Sequence, residues 1–95
     1  MNELTVRHEL ALAEAIARFE RLAAKHDIAL ERDRQGCAGL ATKSLGFLGQ
    51  ASASYEFVDQ TLRVRVEKAP SFMGEQMLRG MLERELATVF AASAD

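Results

Sequence analysis

The 95 residues carry 12 Lys and Arg against 14 Asp and Glu, a formal net charge of −2, with 48% hydrophobic residues. A chain of this length and composition buries one modest core, so residues 1–95 are expected to form a single folded domain and not a disordered segment. The interspersed, slightly acidic charge argues against a general nucleic-acid binder, no apolar run reaches membrane-spanning length, the charged start MNELTVRHEL argues against export, and the lone Cys37 fits a reducing cytoplasm.

In chain order, residues 3–8 alternate Leu4, Val6 and His8 with Thr5 and Arg7, which predicts a strand. Residues 10–26 place Leu12, Ala15, Ile16, Phe19, Leu22, Ala23 and His26 on one stripe at helical spacing. Glu14, Arg18, Arg21 and Lys25 lie on the other side. Glu14 precedes Arg18 by one helical turn, and Lys25 and His26 suit the helix's negative end. Residues 28–33 read as a strand facing inward through Ile28 and Leu30. Asp33-Arg34-Gln35-Gly36 has turn composition, and residues 37–43 return as a strand weakened by Gly39. The apolar segment Ser44-Leu45-Gly46-Phe47-Leu48-Gly49 reads as a loop or a bulged strand start.

The next two strands, residues 48–58 and 61–68, contain the most informative pattern. Ala51, Ala53, Tyr55 and Phe57 alternate with Ser52, Ser54 and Glu56. Leu62, Val64 and Val66 alternate with Arg63 and Arg65. A tight turn at Asp59-Gln60 places Phe57 opposite Leu62, Tyr55 opposite Val64 and Ala53 opposite Val66. A slip of one residue would set Phe57 against Arg63 or Thr61. Ala51 and Ala53 leave a shallow place on the dry face, expected to seat a helix. Pro70 ends the sheet, and Ser71 is a candidate cap for a helix over residues 72–91, with a frayed tail at 92–95. The expected fold is α+β: one curved antiparallel sheet of about five strands, in the order β-α-β-β-β-β-α, with both helices on one face.

The last helix carries Leu78, Leu82, Leu86 and Val89 on one stripe and Met73, Met77 and Met81 on a second. Together they cover about half the helix circumference, more than one contact needs. Core packing is the plain reading. Core plus interface is the other, because methionine surfaces adapt to varied partners. The candidate apolar interface is Phe47, Phe72, Met73, Met77, Met81 and Phe90. Glu85 falls within the apolar arc, where it either reaches solvent at the helix edge or pairs with an arginine. With Tyr55 it is a candidate polar contact for a ligand held between sheet and helix.

His8, His26 and Cys37 lack metal-ligand spacing. His26 reads as a helix-end residue, His8 as a strand-to-helix corner bonding the backbone, and Cys37 as a small buried apolar residue. Arg63 and Arg65 read as a solvated face, and Gly46 and Gly49 do not make a phosphate loop. No nucleophile–base set or paired carboxylates emerge, so the residues argue against an enzyme, with no cofactor or metal expected.

The stretch Thr5-Val6-Arg7-His8-Glu9-Leu10, followed by Leu12, Glu14-Ala15, Arg18, Glu20 and Leu22-Ala23, resembles the opening of the polyhydroxyalkanoic acid system proteins. The hairpin, the break at Pro70 and the closing helix also match that layout, while the SLGFLG segment and the last helix are more apolar and methionine-rich than the family's usual pattern. The resemblance implies a bacterial cytoplasmic protein associated with polyhydroxyalkanoate storage, at the granule surface, and supplies no catalytic residues. Three functions follow as expectations. The first is a non-enzymatic accessory protein binding an apolar polymer surface or a protein partner through its last helix. The second is a binder of a small acyl-type ligand, and the third a structural homodimer.

Overall fold

A computed structural model describes residues 3–70 and 73–91, with the side chain of Leu48 excepted. The described residues form β1 (Glu3–Arg7), α1 (Leu12–Lys25), β2 (Ala29–Arg32), β3 (Ala38–Ser44), a 3-10 turn (Gly46–Leu48), β4 (Gln50–Val58), β5 (Thr61–Lys68) and α2 (Glu75–Ala91). The five strands make one open antiparallel sheet in the order β1-β5-β4-β3-β2, so the fold is α+β. Ser71, Phe72 and the tail at 92–95 lie outside the described residues.

Alternation sets the sheet's two faces. Leu4, Val6, Ala53, Tyr55, Phe57, Leu62, Val64 and Val66 are all buried, whereas Glu3, Thr5, Arg7, Arg63 and Arg65 between them are exposed. The β4–β5 register pairs Phe57 with Leu62, Tyr55 with Val64 and Ala53 with Val66, as the alternation requires. Asp59 turns the chain at φ 55°, a left-handed conformation that aspartate tolerates better than most residues. Beyond Ala53 the register shifts and Ser52 faces Lys68. Glu67 is thus the extra residue of a bulge, and Ser54 Oγ donates to its carboxylate at 2.9 Å.

Both helices lie on the dry face. Ala15, Phe19 and Ala23 of α1 and Leu86 and Phe90 of α2 join the strand residues in one core. The rings interlock: Phe19 sits 4.6 Å from Tyr55 and 5.6 Å from Phe57, and Phe90 sits 6.4 Å from Phe57. Arg18 ties the helices together by pairing with Glu14 at 2.8 Å and donating to the Val89 carbonyl at 3.0 Å. The first helix begins at Leu12, two residues later than its periodicity suggests, because no side chain caps its start. Leu12, placed on the apolar stripe, is 41% exposed at this end.

The end of α1 is better defined. His26 is the C-cap, Asp27 follows at φ 58°, and Ile28 N–H donates back to the Ala23 carbonyl at 2.8 Å. This six-to-one bond satisfies a carbonyl that the helix leaves open and swings the chain into β2. At the β2–β3 turn, Asp33 Oδ1 accepts from Gly36 N–H at 2.7 Å and Cys37 N–H at 3.2 Å.

Three sequence readings shift here. β4 starts at residue 50 and not 48, because Gly46 and Gly49 both take positive φ and close a 3-10 turn, with Leu45 N–H donating to the Gly49 carbonyl. The last helix starts at Glu75 and not 72: Met73 N–H closes a turn on the Pro70 carbonyl, and Leu78 N–H reaches Gly74. Gly39 does not weaken β3 for want of a side chain; it makes space. A Cβ there would collide with the Glu31 carbonyl oxygen and stand 2.9 Å from Tyr55 Oη, the ring on the paired strand.

Candidate functional site

The two ends of α2 have different surroundings. Leu86 and Phe90 are buried over the sheet, while Leu82 and Leu78, one and two turns before Leu86, are half-buried. Beside these stand Met77, 61% exposed, and Met81, 40% exposed. The spacing explains it: residues 78, 82 and 86 follow one ridge down to the sheet, and 77 and 81 lie on the neighbouring ridge, turned outward.

An apolar cleft runs under this half of α2. Its outer lobe, about 90 Å³, is floored by Ala41, Ala51 and Ala53, walled by Ile28, Leu78 and Leu82, and has Lys43 and Ser52 in its lining. Its inner lobe, about 50 Å³, shares Ile28, Ala41, Ala53 and Leu82 and ends against Phe19, Tyr55 and Leu86. The cause is side-chain size. Apart from Lys43 at the edge, the inward positions of β3 and β4 at this end are occupied by the methyl groups of Ala41, Ala51 and Ala53, and the leucines of α2 leave a gap above them. The expectation that Ala51 and Ala53 seat a helix is therefore corrected: the helix stands off and a cleft opens between.

Phe47 is 98% exposed in the turn joining β3 to β4, close in sequence to Lys43 and Ala51 of the cleft. Phe47, Met77 and Met81 thus share one end of the molecule with the cleft. Met73 is half-buried ahead of the helix. Phe72 lies outside the described residues. Phe90 does not belong to an exposed patch: it is 5% exposed, packed between Phe57 and His8, because it continues the ridge of residues 82 and 86.

Neither expected polar contact serves the cleft. Tyr55 is 5% exposed and presents its ring to the inner lobe, while its hydroxyl lies at Gly39. Burial raises its phenol pKa, with the nearby Arg32 charge opposing. Glu85 faces solvent, its carboxylate 3.9 Å from His26 Nε2. The outer lobe also touches Lys43, which the sequence reading passed over; its lining there is carbon, and the ammonium is turned away to the end of α1. A signal was present: Lys43 pairs with Ala51 on the inward register that also holds Gly39 and Ala41. Its Nζ donates to the His26 carbonyl oxygen, and no carboxylate pairs with it among the described residues.

His8 is buried at 6% exposure at the corner between β1 and α1. Its Nδ1 accepts from Leu10 N–H at 3.2 Å, and its ring stands 5.0 Å from that of Phe90. Its Nε2 has no partner among the described residues. Burial lowers its pKa below the ordinary value. His26 caps α1, as its position suggests. Cys37 is half-buried and not fully enclosed, since it follows the exposed β2–β3 turn.

Arg63 and Arg65 stand on the sheet face away from the helices, interleaved with Thr5, Glu3, Glu56 and Ser54 on the flanking strands. The shallow depression there mixes both signs of charge. Among the described residues no three His, Cys, Asp or Glu side chains are grouped to hold a metal ion. No helix of the described residues is long and apolar enough to cross a membrane. No family model matches this chain, and no curated protein or solved structure matches it.

Proposed function

We propose that this chain is a non-enzymatic accessory protein that contacts the apolar polymer surface of the polyhydroxyalkanoate system its sequence resembles, using the first half of α2. The observation that carries this reading is the exposure of Met77 (61%) and Met81 (40%) on successive turns of one helix. Single exposed apolar residues are ordinary on protein surfaces. Two flexible thioether side chains one turn apart, at the same end as the fully exposed Phe47, form an adaptable contact instead. The charge supports the choice of surface. At a formal net charge of −2 the chain as a whole is not drawn to an anionic lipid surface, whereas a polyester surface is uncharged.

Co-sedimentation with polyhydroxybutyrate particles tests the reading. The double variant Met77→Glu/Met81→Glu is expected to keep its thermal midpoint, because both side chains already face solvent, and to lose at least about tenfold in particle binding. A folded double variant that binds as well as the parent sinks the proposal. Sedimentation equilibrium separates the rival occupant: a dimer that these substitutions return to monomer would assign the face to a second copy.

A further inference from the structure

We propose that β1 is a pairing edge for a second copy of this chain: two β1 strands align antiparallel about Thr5 and join their sheets into one. β1 ends the sheet, so one side of the strand is free. His8 N–H donates to the Gln60 carbonyl oxygen at 3.0 Å, and the β1–β5 register carries that hydrogen-bonded pairing back through Val6 with Leu62 and Leu4 with Val64. The backbone N–H and C=O groups of Glu3, Thr5 and Arg7 therefore point the other way, out of the sheet. Those of Thr5 and Arg7 meet no partner among the described residues. The Glu3 carbonyl oxygen accepts from Arg79 Nε at 2.9 Å, which leaves it a second lone pair. The strand has neither the proline nor the bulge that blunts an edge.

The sequence of the strand, ELTVR, selects the partner, because it is complementary to itself in reverse. The alignment about Thr5 sets Glu3 against the second copy's Arg7, Thr5 against Thr5, and Arg7 against Glu3. These are the residues whose backbone faces the edge, so each of the three pairs exchanges both N–H···O bonds. Neither Glu3 nor Arg7 has an ion-pair partner among the described residues. Across the edge each meets the opposite charge, and Glu3 comes to lie between that arginine and Arg65 of its own chain. Leu4 falls opposite Val6 on the dry side. Moving the alignment by one hydrogen-bonded step in either direction loses both charge matches. The other edge strand, β2, lacks this property. It has four residues, and the Asp33 N–H bond to the Ala38 carbonyl oxygen turns the backbone of Leu30 and Arg32 to the free side. The alignment that pairs those two sets Glu31 against Glu31.

The two-fold axis of such a joint stands perpendicular to the sheet, so both copies carry their helices on the same face. Arg79 marks the β1 side of α2, and Met77 and Met81 lie about 160° round the helix from it, outside the joint. On the reading proposed above, two methionine faces then address one surface.

Sedimentation equilibrium and amide hydrogen exchange of the full chain, up to about 1 mM because the interface is small, test the inference. A concentration-dependent dimer is expected, with the Thr5 and Arg7 amides slowing as it forms and those of Leu4 and Val6 slow throughout. Thr5→Pro removes the central donor on the free side without touching a β1–β5 bond, and should give a folded monomer. Glu3→Arg and Arg7→Glu each bring like charges together and should weaken association at least about fivefold; mixed in equal amounts they should restore it, since every facing charge is then opposite. The mixture decides the matter if Thr5→Pro does not fold. Met77→Glu/Met81→Glu should stay dimeric while losing polymer particles, so the two readings fail separately. The inference is overturned by a monomer at every concentration, a dimer that persists in folded Thr5→Pro, no rescue on mixing, protection that appears at Leu30 and Arg32 instead, or a dimer that the methionine substitutions dissolve.

Discussion

The two ends of the same sheet close differently. Near the β4–β5 turn the dry face carries Phe57 and Leu62, and the rings of Phe19, Phe90 and His8 pack onto Phe57, with a surface depression beyond them lined by His8, Leu10 and Phe90. At the other end the same two-residue period brings Ala41, Ala51 and Ala53 to the surface of the sheet, and α2 crosses above them without filling the gap. Strand geometry is the same at both ends. What differs is side-chain volume at inward positions: ring meets ring at one end, and methyl groups floor a cleft at the other. The comparison teaches that one alternating pattern specifies which face is dry, and the sizes within it decide whether that face becomes core or cleft.

The contrast breaks most directly in the filled half. Leu62 is fully buried, and Leu62→Ala should lower the unfolding free energy by about 2–5 kcal/mol in a denaturant titration. A loss below about 1 kcal/mol would mean that this end is as loosely packed as the other. At the boundary between the halves, Gly39→Ala should cost about 1–3 kcal/mol, because the added methyl meets the Glu31 carbonyl oxygen and the Tyr55 hydroxyl. An unchanged unfolding midpoint would show that Tyr55 does not lie over the glycine.

The smallest effect concerns His8, the polar member of the filled half. Its folded pKa is lowered by burial, so the folded chain favours the neutral ring while the unfolded chain titrates near the ordinary value of about 6.5. The stability that follows is fully present above about pH 6.5 and is lost as pH falls from there towards the folded pKa. Comparing urea midpoints at pH 7.5 and 5.5 should show a decline that His8→Phe removes, since phenylalanine does not titrate. A variant with the parent's pH dependence would reassign the effect to another group.

Much of the fold was legible from local pattern. Strand register followed from period two, because every one-residue slip would have exchanged Phe57 and Leu62 for charged or polar residues on the dry face. The α1 boundary at His26 and the corner bond of His8 were legible too, since helix-end and corner positions depend on neighbours in sequence. The starts of β4 and α2 were misplaced because glycine turns and the Pro70 turn absorb residues that look apolar enough to belong to an element.

The site was less legible, and the reason is distance in sequence. Phe90 read as surface and Leu82 as core, yet both depend on where α2 meets the sheet, and helix periodicity does not say how high or at what angle a helix crosses. Tyr55 looked like a polar contact until Gly39, on a neighbouring strand, was seen to take its hydroxyl away from the cleft. Lys43 holds an inward register position in plain view of the strand pattern, but its ammonium is taken by the His26 carbonyl oxygen at the end of α1. Short-range periodicity assigns each side chain to a face. The gap between helix and sheet is set by the packing of Phe19, Phe57, Leu86 and Phe90, residues brought together from three separate elements.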